Sequence, residues 1–236
     1  MWSEPAGRMP IVVAHRGASA YEPENTLRAI RLALAQGAPA VEVDVRRTKD
    51  GALAVLHDET VNRTTDGSGS IAGLTLDQIR RLDAGRGERV PTLDEVLDTV
   101  KGRALAVVEI KERGLWRPVV ELVRDHYDPR GVIVVSFHRS EIADLRGTHP
   151  EIRRGALFVY AVSDVLTWTV EAQADFAGLR HDVVTREFAD SLHQAGRSLL
   201  VWTVNDAERA RAVAALGADF IATDAPDVIL RALAPR

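Results

Sequence analysis

"AVEVDV", residues 40–45, alternates small apolar residues with two acids. Read as a β-strand, it sends Val41, Val43 and Val45 to one face and Glu42 and Asp44 to the other, because successive strand side chains point in opposite directions. "ALAVVEIK", residues 104–111, repeats the device: Val108 and Ile110 share one face, Glu109 and Lys111 the opposite one. Two strands that each hide acid on one side need an architecture with two distinct faces. The rest of the chain supplies the candidates.

Apolar runs recur at 11–15, 132–137, 154–159, 176–181, 199–204 and 220–223. Helical patterns fall between many of them, at 24–36 (with Leu27, Ile30, Leu32 and Leu34), 139–147, 163–174, 185–195, 206–216 and 225–233. Strand followed by helix, repeated, predicts a parallel sheet. Eight such strands match an α/β (β/α)₈ TIM barrel, in which alternate strand residues face the interior and the rest face the helices. The rival, a doubly wound open sheet, usually has fewer strands and a glycine-rich turn after the first, and no G-x-G-x-x-G occurs here.

Residues 46–103 are long for one connection. They hold the apolar run "LAVLH" (53–57), the loop-like "DGSGS" (66–70) and two helix candidates. "LTLDQIRRL" (74–82) opens on Thr75 as N-cap, and "PTLDEVLDTV" (91–100) pairs Thr92 with Glu95 as a capping box. This stretch reads as an insertion in the second βα unit, spanning about 58–90, within a single domain of residues 1–236. No internal repeat is present.

Composition narrows the class. Apolar residues make up 46% of the chain, enough for a sizeable core, and a net charge of −4 offers no basic field to nucleic acid. The chain has no cysteine, which excludes disulfides, thiolate metal sites and a thiol nucleophile. No window approaches the roughly 18 apolar residues of a membrane span, and "MWSEPAGRMP" lacks a signal-peptide core. A cytoplasmic protein without stable membrane insertion is the expectation. Lys49, Lys101 and Lys111 are the only lysines, so Lys111 beside an acid draws notice where the many arginines do not.

In a barrel, Glu42, Asp44, Glu109 and Lys111 meet near one end. One acid at a strand end is commonly a salt-bridge partner or a helix cap; two strands with this inward pattern are rarer. Burying three carboxylates unpaired is costly, and one lysine neutralises only one of them. A hard divalent cation with oxygen ligands, Mg²⁺ or Ca²⁺ rather than zinc, resolves the conflict. His15 and His57 end apolar runs that lead to the same mouth, where two imidazoles can accept and donate protons near neutral pH. His138 and His181 follow later strands and are weaker candidates; His126, His149 and His193 look incidental. Arg16 and Lys111 beside a cation site call for an anion between them, and a phosphate fits. In "PENT", Glu24, Asn25 and Thr26 suit the first turn of a helix after Pro23, and Glu24 or Asn25 could equally reach the site.

"AHRGASAYEPENTLRAI" (14–30), "VEVDVRRTKDGALAVLHDETVNRTTDGSG" (41–69), "VPTLDEVL" (90–97), "VVEIK" (107–111), "VWTVND" (201–206) and "IATDAPD" (221–227) together resemble the glycerophosphodiester phosphodiesterases, over about residues 11–230. The resemblance implies a TIM barrel that hydrolyses glycerophosphodiesters, small-molecule substrates, to sn-glycerol 3-phosphate and an alcohol such as choline or ethanolamine. It assigns acid–base chemistry to His15 and His57, metal binding to Glu42, Asp44 and Glu109, and phosphate binding to Arg16 and Lys111. It places Trp202 at the pocket, where the same residue could simply fill the barrel. Asn205 is expected to cap the helix at 206–216. The metal is Mg²⁺ or Ca²⁺, with Mn²⁺ a further candidate. His15 is expected as the base and His57 as the acid, with the reverse left open, as are water or the glycerol 2-hydroxyl as attacker. The compact 58–90 segment departs from the pattern and leaves the mouth shape and the alcohol open; the oligomeric state is open as well. Two rival readings are a phospholipase D-like lyase acting on lysophospholipids and a non-catalytic binding barrel.

Overall fold

The computed structural model describes residues 9–159 and 164–235. Among them the strands are β1 (Ile11–His15), β2 (Ala40–Arg47), β3 (Leu53–Val55), β4 (Leu105–Ile110), β5 (Val132–Ser136), β6 (Arg153–Phe158), β7 (Phe176–Arg180), β8 (Ser198–Trp202) and β9 (Phe220–Thr223). All but β3 pair in parallel in the order β1-β9-β8-β7-β6-β5-β4-β2, and β1 then pairs with β2 to close the ring. The closing registers are Ala14 with Val41 and Val13 with Ala222. Closure makes this a (β/α)₈ barrel and excludes the open sheet. β3 runs antiparallel to β2 on its outer end, pairing Val45 with Val55.

The helices are α1 (Leu27–Ala35), α2 (Leu76–Ile79), α3 (Leu93–Val100), α4 (Trp116–His126), α5 (Arg139–Thr148), α6 (Val165–Glu171), α7 (Arg186–Gln194), α8 (Ala207–Ala215) and α9 (Pro226–Leu233). The alternation read from "AVEVDV" holds: Val41, Val43, Val45, Val108 and Ile110 are buried against Ile30, Leu93, Leu97 and Val119 in the helical layer. Val13, Ala40, Val107, Ile133, Val135, Leu157, Phe176, Leu200 and Phe220 fill the interior. Burying each such large side chain contributes roughly 1.5–3 kcal/mol. The interior is tight at Gly155, where an added Cβ would lie 2.1 Å from the Phe176 ring.

Local chemistry departs from expectation in several places. Helix α1 starts at Leu27, with Thr26 capping through its hydroxyl to the Ala29 amide at 3.2 Å. Glu24 and Asn25 therefore precede the helix instead of forming its first turn; Asn25 has φ 60° and donates its backbone N–H to the Arg16 carbonyl. The 74–82 pattern yields only the short α2, although Thr75 and Gln78 do form a capping box. Thr92 and Glu95 form theirs at α3. Helix α4 was not among the expected helices, and it carries Pro118. The proline stands in the first turn, where a missing N–H breaks no helical bond. Glu141 of α5 accepts the free amides of Gly114, Leu115 and Trp116 at 2.8–3.0 Å, taking the place of a side-chain cap. Helix α6 falls within the expected 163–174, of which residue 163 lies outside the described residues. Asp206, not Asn205, caps α8, accepting from the Arg209 amide at 2.7 Å.

The segment between β3 and α3 wraps a small apolar cluster of Leu56, Val61, Ile71, Ile79, Ala84 and Val90. It is tied to the β1–α1 loop by Arg63 to Glu24 and by Arg86 to Glu22. The tie brings the segment to the mouth of the barrel. Among the described residues, no helix is long and apolar enough to cross a membrane.

Candidate active site

All the sequence-predicted residues but Asp44, which is buried beside Glu109, line one cavity of about 210 Å³ at the C-terminal ends of the strands. His15, Arg16, Glu42, His57, Glu109 and Lys111 line one side, and Val135, Phe137, Leu157, Leu200 and Trp202 the other. Strand register explains the convergence. Glu42 sits beside His15 across the β1–β2 pair, and Asp44 beside Glu109 across β2–β4.

Glu42, Asp44 and Glu109 each bring an oxygen within 4.8 Å of the others, and none is more than 7% exposed. Among the described residues, Glu42 Oε1 and Asp44 Oδ1 accept no hydrogen bond. The Lys111 ammonium lies 3.4 Å from Asp44 Oδ1. Burial, reinforced by Asp44 and Glu109, pushes the Glu42 carboxyl up to about 8. Burial and Asp44 likewise raise Glu109. Asp44 goes the other way: burial opposes its charge, but Lys111, Arg16 and the Asn25 amide hold it below its ordinary range. Buried anionic oxygens without donors, compressed until one prefers a proton, are what a hard cation relieves. The residues present fit a divalent ion with oxygen ligands.

Two cations face this cluster. Lys111 Nζ lies 2.6 Å from Glu109 Oε1. Arg16 has φ 58°, a conformation uncommon outside glycine, which turns its backbone N–H onto Glu42 Oε2 at 2.9 Å. Its guanidinium reaches Glu24 Oε1 at 2.9 Å and Asp44 Oδ2 at 3.1 Å. Gly17 follows with φ 81°, pressed so closely on α1 that a Cβ would meet the Ala29 carbonyl carbon at 2.6 Å. Asn25 grips Asp44 twice, donating from Nδ2 at 2.8 Å and accepting the Asp44 amide at 3.2 Å. Both residues of "PENT" whose role was open thus reach the site.

Each histidine is backed by its own carboxylate. His15 Nδ1 lies 2.7 Å from Asp224 Oδ1, and His57 Nδ1 lies 2.7 Å from Asp58 Oδ1. Asp224 also accepts from the Ser19 hydroxyl at 3.0 Å and from Asn205 Nδ2 at 2.6 Å. Burial works against its charge, but these donors hold it at about 2. The same balance differs for the two imidazoles. Burial opposes the charge on both. For His15, Asp224 and Glu42 win and the pKa is raised. For His57, burial wins with help from Lys111 and Arg16, against Asp44 and Asp58, and the pKa is lowered.

Trp202 lines the cavity, with its ring edge-on to Phe137 at 5.5 Å between centroids. His138 and His181, the weaker candidates, do not line it: His138 lies 3.1 Å from the Lys111 carbonyl, and His181 accepts from Arg209. Sequence reasoning missed Asp224, Asn205, Ser19 and Asp58 as partners of the central groups. Asp224 and Asn205 stand inside "IATDAPD" and "VWTVND", so the signal was in the motifs but carried no local geometry.

A closed parallel barrel with a charged cavity at the strand C-termini, two carboxylate-backed imidazoles and an acidic cradle defines a barrel enzyme built for an anionic substrate. Residues 15–228 match the model of the glycerophosphoryl diester phosphodiesterase family, and the chain belongs to that family. It is 33% identical over 235 residues to the glycerophosphodiester phosphodiesterase of Caldanaerobacter subterraneus subsp. tengcongensis, covering 93% of this chain and 96% of that one. It is 32% identical to the Bacillus altitudinis glycerophosphodiester phosphodiesterase, with the same coverage. Among solved structures, an Oleispira antarctica phosphodiesterase in complex with the product sn-glycerol-3-phosphate superposes with a TM-score of 0.90 at 29% identity, over 95% of this chain and 96% of that one.

Proposed function

We propose that this chain, acting as one catalytic domain over residues 1–236, hydrolyses glycerophosphodiesters to sn-glycerol 3-phosphate and an alcohol. The observation that carries the reading is a single small cavity lined by Glu42, Glu109, two cations and two imidazoles, with the buried Asp44 completing the acidic cluster behind it. Glu42, Asp44 and Glu109 would hold a divalent cation, Mg²⁺ or Ca²⁺, with Mn²⁺ as a further candidate. When bound, the ion supplies Lewis-acid stabilisation of charge on phosphoryl oxygens. Arg16 and Lys111 hold the phosphate and offset the charge that grows as an oxygen attacks it. His57, whose pKa is lowered by burial, takes the proton of the attacking hydroxyl; His15, whose imidazolium form Asp224 favours, gives a proton to the departing alkoxide. This reverses the assignment expected from sequence. The reason is that the Asp224 bond to His15 is separate from the acids that a cation would neutralise. Phe137 and Trp202 wall off the apolar side and exclude water from the charged one.

Assaying the purified protein on glycerophosphocholine, glycerophosphoethanolamine and glycerophosphoglycerol with Mg²⁺, Ca²⁺ and Mn²⁺ tests the proposal. Release of glycerol 3-phosphate that stops on chelation is the expected result; no turnover of any diester with any ion would overturn it. One observation favours the lysophospholipid reading as a second: Phe137 in the cavity lining and Val159, next after the end of β6, are 37% and 39% exposed, apolar surface an acyl chain could cover. Turnover of lysophosphatidylcholine without turnover of glycerophosphocholine would select it.

A further inference from the structure

Arg63 belongs to the inserted segment and lies outside the residues assigned to the reaction so far. Its guanidinium makes four short contacts. Nε donates to Asp58 Oδ2 at 2.8 Å and Nη2 to Asp58 Oδ1 at 2.9 Å. Nη1 donates to Glu24 Oε2 and Nη2 to Glu24 Oε1, both at 2.8 Å. Both carboxylates are engaged elsewhere: Asp58 Oδ1 with His57 Nδ1, and Glu24 Oε1 with Arg16 Nη1. One planar fork thus closes an unbroken chain, His57–Asp58–Arg63–Glu24–Arg16, between a proton-transfer group and a phosphate-binding group.

We propose that Arg63 is a positioning residue that sets His57 and Arg16 together, by dividing one guanidinium between the carboxylates that hold them; this rests on the phosphodiesterase reading above. The geometry argues for more than fastening the insertion. Arg86 already ties the same segment to the same β1–α1 loop through Glu22, which Arg28 also grips, and that tie touches no group of the site. Lysine would replace Arg63 only in part, since a point charge cannot fork onto two carboxylates. Without Arg63, Asp58 would spend its full charge on His57 and turn it toward the imidazolium form. The other charges facing His57 are Asp44, which favours that form, and Lys111 and Arg16, which oppose it. Glu24, released on one side, would draw Arg16 away from the phosphate position.

The test compares Arg63→Met, Arg63→Lys and Arg86→Met with the wild type. Arg63→Met should lower kcat by roughly 10–100-fold, the size seen for partners one shell out from a reacting group. It should raise KM several-fold and move the acidic limb of the kcat/KM profile upward by about half a pH unit or more. Arg63→Lys should recover part of the rate. Arg86→Met should lose thermal stability with its pH profile in place. In an Asp58→Asn background, Arg63→Met should no longer move the limb. Titrating the His57 ring by NMR, in metal-free and calcium-loaded protein, reads the same coupling without turnover. A His57 titration and pH limb unmoved in Arg63→Met, with kcat and KM matching Arg86→Met, would overturn the proposal. If the wild type turns over no diester, the hydrolase reading fails instead, and the NMR titration still decides whether Arg63 acts on His57.

Discussion

The mouth of the barrel has two unlike arcs. From β1, β2 and β4 come His15, Arg16, Glu42, Asp44, Glu109 and Lys111; from β5, β6 and β8 come Val135, Phe137, Leu157, Leu200 and Trp202. Both arcs use the same alternation along a strand, so backbone geometry does not distinguish them. The difference lies in which residues occupy the last inward positions. Charges of both signs crowd one arc, which lets each be buried against another, while the apolar arc keeps water away. Interactions among the charges are stronger for that exclusion. In the proposed mechanism the polar arc carries the chemistry, and the apolar arc sets the medium in which it works.

If that division holds, variants in the two arcs should fail in different ways. The largest effect belongs to the polar arc: His57→Ala or His15→Ala should lose roughly 10²–10⁴ in kcat while folding normally, as single-turnover kinetics and circular dichroism would show. Near-wild-type turnover by either would remove that histidine from the mechanism. One step out, Asp224→Asn should cost roughly 10–100-fold and shift the alkaline limb of the pH–rate profile downward, because His15 loses the partner that raises its pKa. The apolar arc should answer the other way. Gly155→Ala drives a methyl group into the Phe176 ring and should destabilise the fold by about 1–3 kcal/mol, read by urea denaturation, with kcat in the surviving fraction little changed. A loss of rate without a loss of stability there would blur the comparison.

The smallest effect is also the most specific. The Glu42 carboxyl titrates at about 8 in the folded chain, against an ordinary value of 4.5. The folded state therefore holds a proton that the unfolded chain releases, so this group's contribution is complete below about 4.5 and is lost as pH rises through about 8. Metal-free protein should show Tm declining across that window. Glu42→Gln, or saturating Ca²⁺, should flatten the decline. An unchanged slope in Glu42→Gln would show that the strain of the acidic cluster resides elsewhere.

The legible part of the site was the part that depends on period two. Glu42, Asp44, Glu109 and Lys111 could be assigned to one interior face because each strand's alternation is local. His15 and His57 could be placed at the mouth because each ends a short apolar run. The backing carboxylate of His57 was adjacent in sequence and still went unread, since adjacency alone does not show that Asp58 turns back onto the ring. Asp224 lies 209 positions from His15, and nothing in either segment names the other. Asn205 looked like a helix cap because asparagine before a helix usually is one. Here Asp206 takes that place, and Asn205 accepts the Asp224 amide at 2.8 Å.

Sequence alone determined that eight strands form a parallel α/β architecture, that three acids and a lysine face inward, and that His15 and His57 close apolar runs leading to one mouth. These are consequences of backbone stereochemistry over a few residues. Only the tertiary structure decided which carboxylate supports which imidazole, how Asn25 grips Asp44, and that Arg63 joins two halves of the site. Those pairings form when β1 meets both β2 and β9 and the inserted segment folds over the mouth, and ring closure of that kind leaves no trace in local periodicity.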